Sequence, residues 1–349
     1  MSLPMRNLLI ATILAAPCLA QEPVTFSINQ SASQWSWSGS SSLGPINGNP
    51  SQNFAVNGTF VLQMTAGTQP IQTAQFLPGG AAAVVPNLSG VIPNPLPFLP
   101  PLATIDVTGL VLEFTSAPFA VDAAGNFNAL GTTTALSGTL TVSPLTGGTT
   151  VTDLTGTSGD PQPLPGSLSI IGTTVSLTSN NSGSFDFTDP ASGISASFNL
   201  AGVLAGSWSA PAPTSYCSAT SNSTGNIGQL SLTGSQRLSD DQLVLTATGL
   251  PSTQFAYFIV APTQGFIATP PGSQGNICLS GGIGRYIALV GQTDGAGTFT
   301  RDLGTQSIPV NPAATPQPGE TWNFQLWHRD LNPTPTSNFT QGLQLTFAP

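Results

Sequence analysis

The chain of 349 residues contains 5% charged residues, no lysine and a formal net charge of -9, whereas soluble domains carry about 25% charged residues. So acidic a chain argues against nucleic-acid binding, which needs cations that neutralise phosphates, and leaves few groups for acid–base catalysis. The 39% hydrophobic content argues against disorder, because disordered chains combine low hydrophobicity with high net charge.

The first twenty residues, MSLPMRNLLIATILAAPCLA, have the organisation of a secretory signal peptide. A single positive charge at Arg6 precedes an apolar run from Leu8 to Ala16, and small residues follow. The run is shorter than the roughly 20 residues that a membrane-spanning helix needs. We therefore expect a signal peptide over residues 1–20 and an exported mature chain, periplasmic or extracellular, without a transmembrane anchor.

The mature chain reads as strands throughout. Segments such as TFVLQM, IDVTGLVLEF and GTTVSLTSN alternate apolar and polar residues or run apolar for several positions, and β-branched residues are frequent. Turns are indicated by 38 Gly and 32 Pro. The stretch SAPAPTS at 209–215 interrupts this pattern. We predict an all-β fold with two β-sandwich or barrel-like domains, over residues 21–213 and 214–349.

Two tryptophans near the start of the mature chain, Trp35 and Trp37, fall on one face of a predicted strand. An exposed pair forms a platform on which sugar rings stack, whereas a buried pair fills a core. Aromatic residues make up only 7% of the chain, so the domain needs them inside. The core interpretation is favoured, and a ligand-binding role for the pair is the alternative.

The opening of the mature chain resembles the polyisoprenoid-binding, lipocalin-like periplasmic family over FSINQSASQWSWSGSSSLGPINGNPSQNFAVNGTFVLQM. The matching residues are Phe26, Ile28, Ser33, Leu43, Gly44, Gly48, Phe54 and Gly58. The histidine that usually precedes the serine is Ala32 in this chain. The resemblance implies an eight-stranded barrel that holds an apolar chain.

The segment VVPNLSGVIPNPLPFLPPLATIDV, residues 84–107, departs from the strand pattern. Its prolines lack the N–H donors of a ladder and favour extended geometry. One interpretation is a connection that caps a barrel end or a sheet edge. The other is an exposed apolar patch for a partner or a hydrophobic ligand.

Two turns repeat one pattern, VDAAGNFNA at 121–129 and QTDGAGTFTRDL at 292–303, with Asp, Gly and Phe at the same spacing. Calcium needs about six to eight oxygen ligands, more than either stretch supplies. Asp and Gly in this order are typical of tight turns, because Asp bonds the local backbone and Gly accepts a positive φ. We predict turns and no metal site.

Loss of Cys18 with the leader leaves two cysteines, Cys217 and Cys278. An even pair in an oxidising compartment predicts one disulfide, and the alternative is two separate buried thiols. The bridge would close a loop of about 60 residues. Closing such a loop lowers the entropy of the unfolded chain and is expected to stabilise the fold by roughly 3 to 4 kcal/mol.

The stretch ETWNFQLWHRD, residues 320–330, combines two tryptophans with the only histidine, His328. Turn signals on both sides indicate a strand, whose face from Trp322 through Phe324 to His328 points into a sandwich. His328 is expected at the end of the strand, where its ring reaches water or a backbone partner. Trp327 and Arg329 share the opposite face, and their spacing predicts a cation–π pair.

Residues 216–349 resemble a C-terminal module of uncharacterised exported bacterial β-proteins. The segments that carry the likeness are TSYCSATSNSTGNIGQLSLTGS, GSQGNICLSGGIGRY, PGETWNFQLWHRD and SNFTQGLQLTF. The resemblance implies a recurring extracellular module and brings no activity with it.

Catalytic constellations are missing from the sequence. His328 is the only histidine available as a base, no GxSxG turn is present, and the ligands of a structural zinc site are lacking. We therefore expect no catalytic residue, no cofactor and no metal. The chain is predicted to be an exported, non-enzymatic protein with a structural or binding role, its partner unknown. The alternatives are a lipocalin-like carrier of an apolar ligand and a carbohydrate-binding module.

Overall fold

A computed structural model describes residues 23–188 and 193–349, so the predicted signal peptide lies outside the described residues. The fold is all-β, as predicted, and its sheets are antiparallel. Helical structure among the described residues is limited to two 3-10 turns, Leu238–Asp240 and Ile287–Leu289.

Thirteen strands form the first sheet. They are β1 (Val24–Ile28), β2 (Gln34–Ser41), β3 (Gly44–Gly48), β4 (Asn53–Thr65), β5 (Thr73–Val85), β6 (Leu88–Ile92), β7 (Ala103–Ser116), β8 (Phe119–Ala120), β9 (Asn126–Pro144), β10 (Thr150–Asp153), β11 (Gln162–Ile171), β12 (Thr174–Thr188) and β13 (Ser195–Ser209).

This sheet closes on itself. The strands β9, β11, β12, β13, β1, β4, β5 and β7 pair in that order, and β7 pairs again with β9. β2 lies between the same two strands as β1, because it also pairs with both β13 and β4 at other residues of each. The result is a barrel-like ring with one face turned inward.

Aromatic side chains fill the inside of the ring. Phe26 stacks on Phe60 with ring centroids 4.9 Å apart, and Phe60 packs on Phe76 at 5.8 Å. Fully burying one aromatic side chain is worth roughly 1.5–3 kcal/mol. Because the chain has few charges, we attribute most of the stability of this sheet to such burial and to its backbone ladders.

Trp35 and Trp37 belong to this core. Their side chains are 4% and 3% exposed, and the burial of β2 alternates as a two-residue period requires. Trp35 packs against Phe54 and Phe114. Neither ring offers a free face for stacking, and the ligand-binding role of the pair stays a prediction.

The proline-rich segment 84–107 contains more ladder than its composition indicates. β6 and the start of β7 both lie inside it and pair with each other from Leu88↔Val107 to Ile92↔Ala103. Residues 93–102 connect these two strands, and five of the six prolines of the segment cluster there. The interpretation of the whole segment as non-strand is therefore wrong.

The two Asp-Gly-Phe stretches are turns, as predicted. Asp122 accepts the N–H groups of Ala124 and Asn126 at 2.9 and 2.8 Å, and Gly125 has a φ of 86°. Asp294 accepts the N–H groups two and four residues later at the same distances, and the glycine three residues later has a φ of 73°. The carboxylates are thus engaged by the backbone of their own turns.

Twelve strands follow the first sheet, and sheet membership changes between β13 and β14. They are β14 (Thr214–Tyr216), β15 (Gln229–Leu232), β16 (Val244–Thr248), β17 (Phe255–Ala261), β18 (Thr263–Ile267), β19 (Ile277–Ser280), β20 (Gly284–Arg285), β21 (Gly291–Gln292), β22 (Phe299–Asp302), β23 (Thr321–Leu331), β24 (Pro335–Phe339) and β25 (Gly342–Thr346). The division into two domains stays a prediction.

The C-terminal strands form a sandwich. The seven-stranded sheet has the path β14-β25-β23-β17-β20, and β15-β16-β22 form a second sheet. Buried apolar residues from both sheets make one cluster. The hairpin β18–β19 lies on the other face of the larger sheet and contributes to a smaller cluster.

β23 is buried on both faces. Trp322, Phe324 and His328 point into the sandwich, as predicted, and all are at most 2% exposed. Asn323 and Gln325 on the opposite face are buried too. Gln325 accepts the N–H of Cys278 and donates to the carbonyls of Asn276 and Thr340, so this amide holds neighbouring backbone against the sheet.

The expected cation–π pair between Trp327 and Arg329 is replaced by other contacts. Trp327 packs on Tyr257 of the neighbouring strand, with ring centroids 4.9 Å apart. Arg301 supplies the cation–π contact of the C-terminal strands, 4.3 Å from the ring centroid of Phe299. Arg301 and Phe299 are themselves two positions apart on one strand, so this spacing allows the contact, but the Trp327 ring is engaged by its cross-strand neighbour instead.

Cys217 and Cys278 form the predicted disulfide, across a sequence separation of 61 residues. Tyr216, next to the first cysteine, donates its hydroxyl to the Cys278 carbonyl at 3.1 Å. The bridge thereby joins the start of the C-terminal strands to β19.

We expect Phe324→Ala to lower the free energy of unfolding of the C-terminal strands by roughly 3 to 5 kcal/mol, as does Trp322→Ala, because each leaves a cavity in a packed core. Urea unfolding of the full chain, followed by tryptophan fluorescence, measures the change. Phe266→Ala is the control, since that ring is 66% exposed. Equal stabilities of the control and Phe324→Ala would contradict the assignment.

The double variant Cys217→Ser, Cys278→Ser is expected to lose roughly 4 kcal/mol of stability, because its unfolded chain is no longer restricted by the bridge and has more conformational entropy. The mature wild type should show no alkylatable thiol before reduction, as intact mass reports. Two alkylated cysteines under non-reducing conditions would contradict the bridge.

Candidate functional site

The ring of the first sheet is incomplete along one side. β11 lies between β9 and β12 and pairs with β12 only as far as Ser179. Beyond that residue β12 continues to Thr188, paired with β13 alone, while β10 pairs with β9 alone. Within the described ranges no backbone hydrogen bond joins β10 to β12. We call the opening between β10 and residues 180–188 the lateral split.

The two sides of the lateral split come into contact near Ser184 of β12. Gly159 lies there against β12, and a Cβ on it would come within 2.7 Å of the Ser184 carbonyl oxygen. A glycine is therefore required where the connection from β10 to β11 crosses over. Beyond this contact, at Phe185 to Phe187, the two sides line an opening that leads inward.

The opening is a cavity of about 100 Å³ whose wall is mainly apolar. Strands from both sides of the ring contribute. The lining side chains are Leu88, Val107, Leu110, Ala135, Leu140, Thr152, Asp153, Leu154, Thr157, Phe185, Asp186, Phe187, Phe198 and Leu200. Most are members of the core or pack against it, so the lateral split exposes part of the core to a ligand.

A series of aromatic rings leads from the rim to the interior. Phe187, at the rim, stacks on Phe198 with centroids 5.7 Å apart and planes 15° apart. Phe198 packs in turn on Trp37 at 5.7 Å. Trp37 therefore lies directly behind the lining residues, although it is not among them.

Three buried N–H donors inside the ring lack a protein acceptor: Trp35 Nε1, Trp37 Nε1 and Asn181 Nδ2. Asn181 pairs with Gly202 of β13, and Gly202 pairs with Trp35 of β2. Two of the three donors therefore lie side by side across β13. Asn181 uses its oxygen to accept from Ser179 at 3.0 Å. A buried unpaired donor costs about 1–3 kcal/mol, so this level of the core favours an oxygen acceptor.

The electrostatics of the lateral split disfavour anions. Asp153 and Asp186 stand on its two sides. Hydrogen bonds from the side chain and then the backbone of Thr155 hold the pKa of Asp153 below its usual value, so this carboxyl is ionised at neutral pH. No Lys, Arg or His occurs between Arg6 and Arg237. A neutral or cationic group fits at the rim.

A second cleft, of about 490 Å³, lies between residues 66–70 and loops of the C-terminal strands. Several of its polar groups are already hydrogen-bonded within the protein. Gln317 accepts the Ala66 N–H at 3.0 Å, and the Thr305 hydroxyl bonds Asp241 and the Leu238 carbonyl. Because these donors and acceptors are used, the cleft presents fewer free groups to a ligand than its size indicates.

His328 lies in the core, and its ring reaches a backbone partner, one of the two expected alternatives. Its Nδ1 is 3.0 Å from the Arg329 carbonyl oxygen, so this nitrogen carries the proton. Burial lowers the pKa of His328, while the Arg329 carbonyl and the charge of Asp330 oppose that shift. Asp330 itself accepts the backbone N–H groups of Ser223 and Leu331. These contacts serve packing, and neither ring nitrogen is hydrogen-bonded to a carboxylate.

We expect His328 to make stability depend on pH. The lowered pKa keeps the folded ring neutral, so the unfolded chain binds the proton first as pH falls below about 6.5. The contribution of His328 to the free energy of unfolding is therefore greatest above about pH 6.5 and decreases as the pH falls towards the lowered pKa of the folded state. Urea unfolding at pH 7.5 and pH 5 measures the decline. His328→Gln should fold, keep any binding and show a smaller decline; an equal decline would contradict this role.

Comparison of the chain with models of protein families, with curated proteins and with solved structures finds no match. Over residues 23–188 and 193–349, no three His, Cys, Asp or Glu side chains gather as a metal site would require. In the same ranges, no helix has the length and hydropathy needed to cross a membrane. A functional assignment therefore depends on the geometry of the lateral split.

Proposed function

We propose that the protein is an exported, non-enzymatic binding protein that holds the apolar end of a ligand in the lateral split. The observation that carries the proposal is the opening between β10 and β12, where side chains of the core line a cavity that reaches the surface. Apolar area buried there stabilises a complex by roughly 25 cal/mol per Å².

The size of the cavity limits what enters. Pockets that enclose a whole drug-sized ligand have volumes of roughly 300–1,000 Å³, whereas this one has about 100 Å³. Aromatic rings occupy the remaining interior of the ring. A single ring or the end of an alkyl chain fits, and the rest of the ligand stays outside.

The rim selects the polar part of the ligand. Asp153 and Asp186 repel a carboxylate or sulfonate, and no basic side chain of the first sheet compensates. The preferred ligand is thus an amphiphile with a neutral or cationic polar group. A carbohydrate-binding role has less support, because Trp35 and Trp37 are buried.

Export and the absence of catalysis are parts of the proposal. The leader-like first twenty residues and the Cys217–Cys278 disulfide support an oxidising compartment outside the cytoplasm. The environment of His328 supports a non-enzymatic role, since its Nδ1 faces a carbonyl and its Nε2 is buried.

We expect Thr152→Trp to block the lateral split, because Thr152 lines the cavity. Thr150→Trp is the matched control: it lies two residues earlier on the same strand face and outside the lining. The neutral fluorophore N-phenyl-1-naphthylamine serves as the probe in a fluorescence titration. Its Kd should rise by about tenfold or more in Thr152→Trp, equivalent to about 1.4 kcal/mol, and remain near wild type in Thr150→Trp.

The charge of the probe supplies a second comparison. The sulfonated relative 1-anilinonaphthalene-8-sulfonate should bind the wild type with a higher Kd than the neutral probe. In the double variant Asp153→Asn, Asp186→Asn, the Kd values of the two probes should differ less. Equal binding of the neutral probe by both tryptophan variants would place its site elsewhere and overturn the proposal.

A further inference from the structure

Residues 93–101, in the connection between β6 and β7, expose large apolar side chains. Leu96, Phe98 and Leu99 are 50%, 79% and 43% exposed. Side chains of this size usually contribute to a core, and a contiguous exposed group of them marks an interaction surface. We call residues 93–101 the apolar loop.

The backbone of the apolar loop has few free donors. Five of its nine residues are proline and lack an N–H. The Leu96 N–H is accepted by the Asn94 side chain at 3.1 Å, and the Leu99 N–H by the Leu96 carbonyl at 3.0 Å. Unsatisfied backbone groups cost free energy in an apolar medium. The apolar loop avoids much of the part of that cost that comes from N–H donors.

The polar side chain of the apolar loop is also engaged. Asn94 donates to the Pro100 carbonyl at 3.3 Å, in addition to accepting from Leu96. Its amide therefore bridges the two ends of the loop. Together with the prolines this bridge restricts the loop, so little conformational entropy remains to be lost on docking.

Neighbouring turns extend the apolar surface. Leu145, in the turn between β9 and β10, is 50% exposed, and its N–H is accepted by the Leu102 carbonyl beside the apolar loop at 2.7 Å. Leu43, in the turn between β2 and β3, is 47% exposed. No charged residue occurs between Glu22 and Asp106, so burial of this surface desolvates no charge from that part of the chain.

We propose that the apolar loop inserts into the surface of a neutral lipid assembly, such as a zwitterionic bilayer, and docks the protein there. Apolar side chains at an interface contribute in proportion to the area they bury. The small number of free N–H donors and the lack of charges fit a lipid interface better than a protein groove, where donors and charged pairs give specificity. The absence of basic residues from Arg6 to Arg237 disfavours an anionic surface.

Docking by the apolar loop does not depend on ligand binding in the lateral split. The loop follows β6, whereas the lateral split lies between β10 and β12. The apolar loop contributes no residue to the lining of the cavity. The two proposals can therefore fail separately.

Co-flotation of the mature full-length protein with dioleoyl phosphatidylcholine vesicles tests the docking. The triple variant Leu96→Ser, Phe98→Ser, Leu99→Ser should reduce the partition coefficient by about tenfold or more. The matched control is Phe266→Ser, Ile267→Ser, Ile287→Ser, which removes one Phe and two aliphatic side chains that are 66%, 50% and 55% exposed among the C-terminal strands. The control should bind as the wild type does.

Salt dependence and thermal stability distinguish apolar insertion from electrostatic adsorption and from unfolding of the variants. Raising the salt concentration should leave the partition coefficient unchanged, because apolar insertion releases no counterions, and thermal melts of both triple variants should match the wild type. Thr152→Trp should still float with the vesicles. Failure of the wild type to bind these vesicles, equal losses in both triple variants, or binding only to charged vesicles would each overturn the proposal.

Discussion

The ladder between β7 and β9 is the interaction on which the first sheet depends. It runs from Ala103↔Pro144 to Ser116↔Gly131 and closes the sheet into a ring. β9 spans 19 residues, and β10 and β11 pair successively with its other edge. The connection between these two strands stays hydrogen-bonded to β9 through Leu154, Gly156 and Gly159, and β12 has no partner strand on that side at this level. Closure and the lateral split thus have one cause, the length of β9.

The local pattern of the sequence was enough to predict the strands and their faces. Alternation placed Trp35 and Trp37 on one buried face and Trp322 and Phe324 on another, since a period of two depends only on neighbouring residues. It did not predict that Asn323 and Gln325 are buried, because the hairpin that covers them comes from earlier in the chain. The two family resemblances stay predictions.

Turn chemistry was also predictable, but only where the residues were the expected ones. The turn at Asn222 repeats the geometry of Asp122: Asn222 accepts the Thr224 N–H at 3.0 Å, and Gly225 has a φ of 82°. Asn replaces Asp and Ile227 replaces Phe, so this turn does not carry the Asp-Gly-Phe pattern. The amide oxygen accepts the same bond as the carboxylate. Asp or Asn three residues before a glycine is the pattern that all three turns share.

The lateral split could not be predicted, because it is defined by a pairing that does not form. Its lining extends from Leu88 to Leu200 and belongs to several strands, and the periodicity of each marks these residues only as buried. The apolar loop had a signal, its proline-rich composition, yet composition did not decide between a cap and an exposed patch. The position of its prolines decides the matter: they lie between β6 and β7, where the ladder Ile92↔Ala103 ends. Beyond the ladder the side chains have no opposite strand to cover them, so Phe98 stays at the surface.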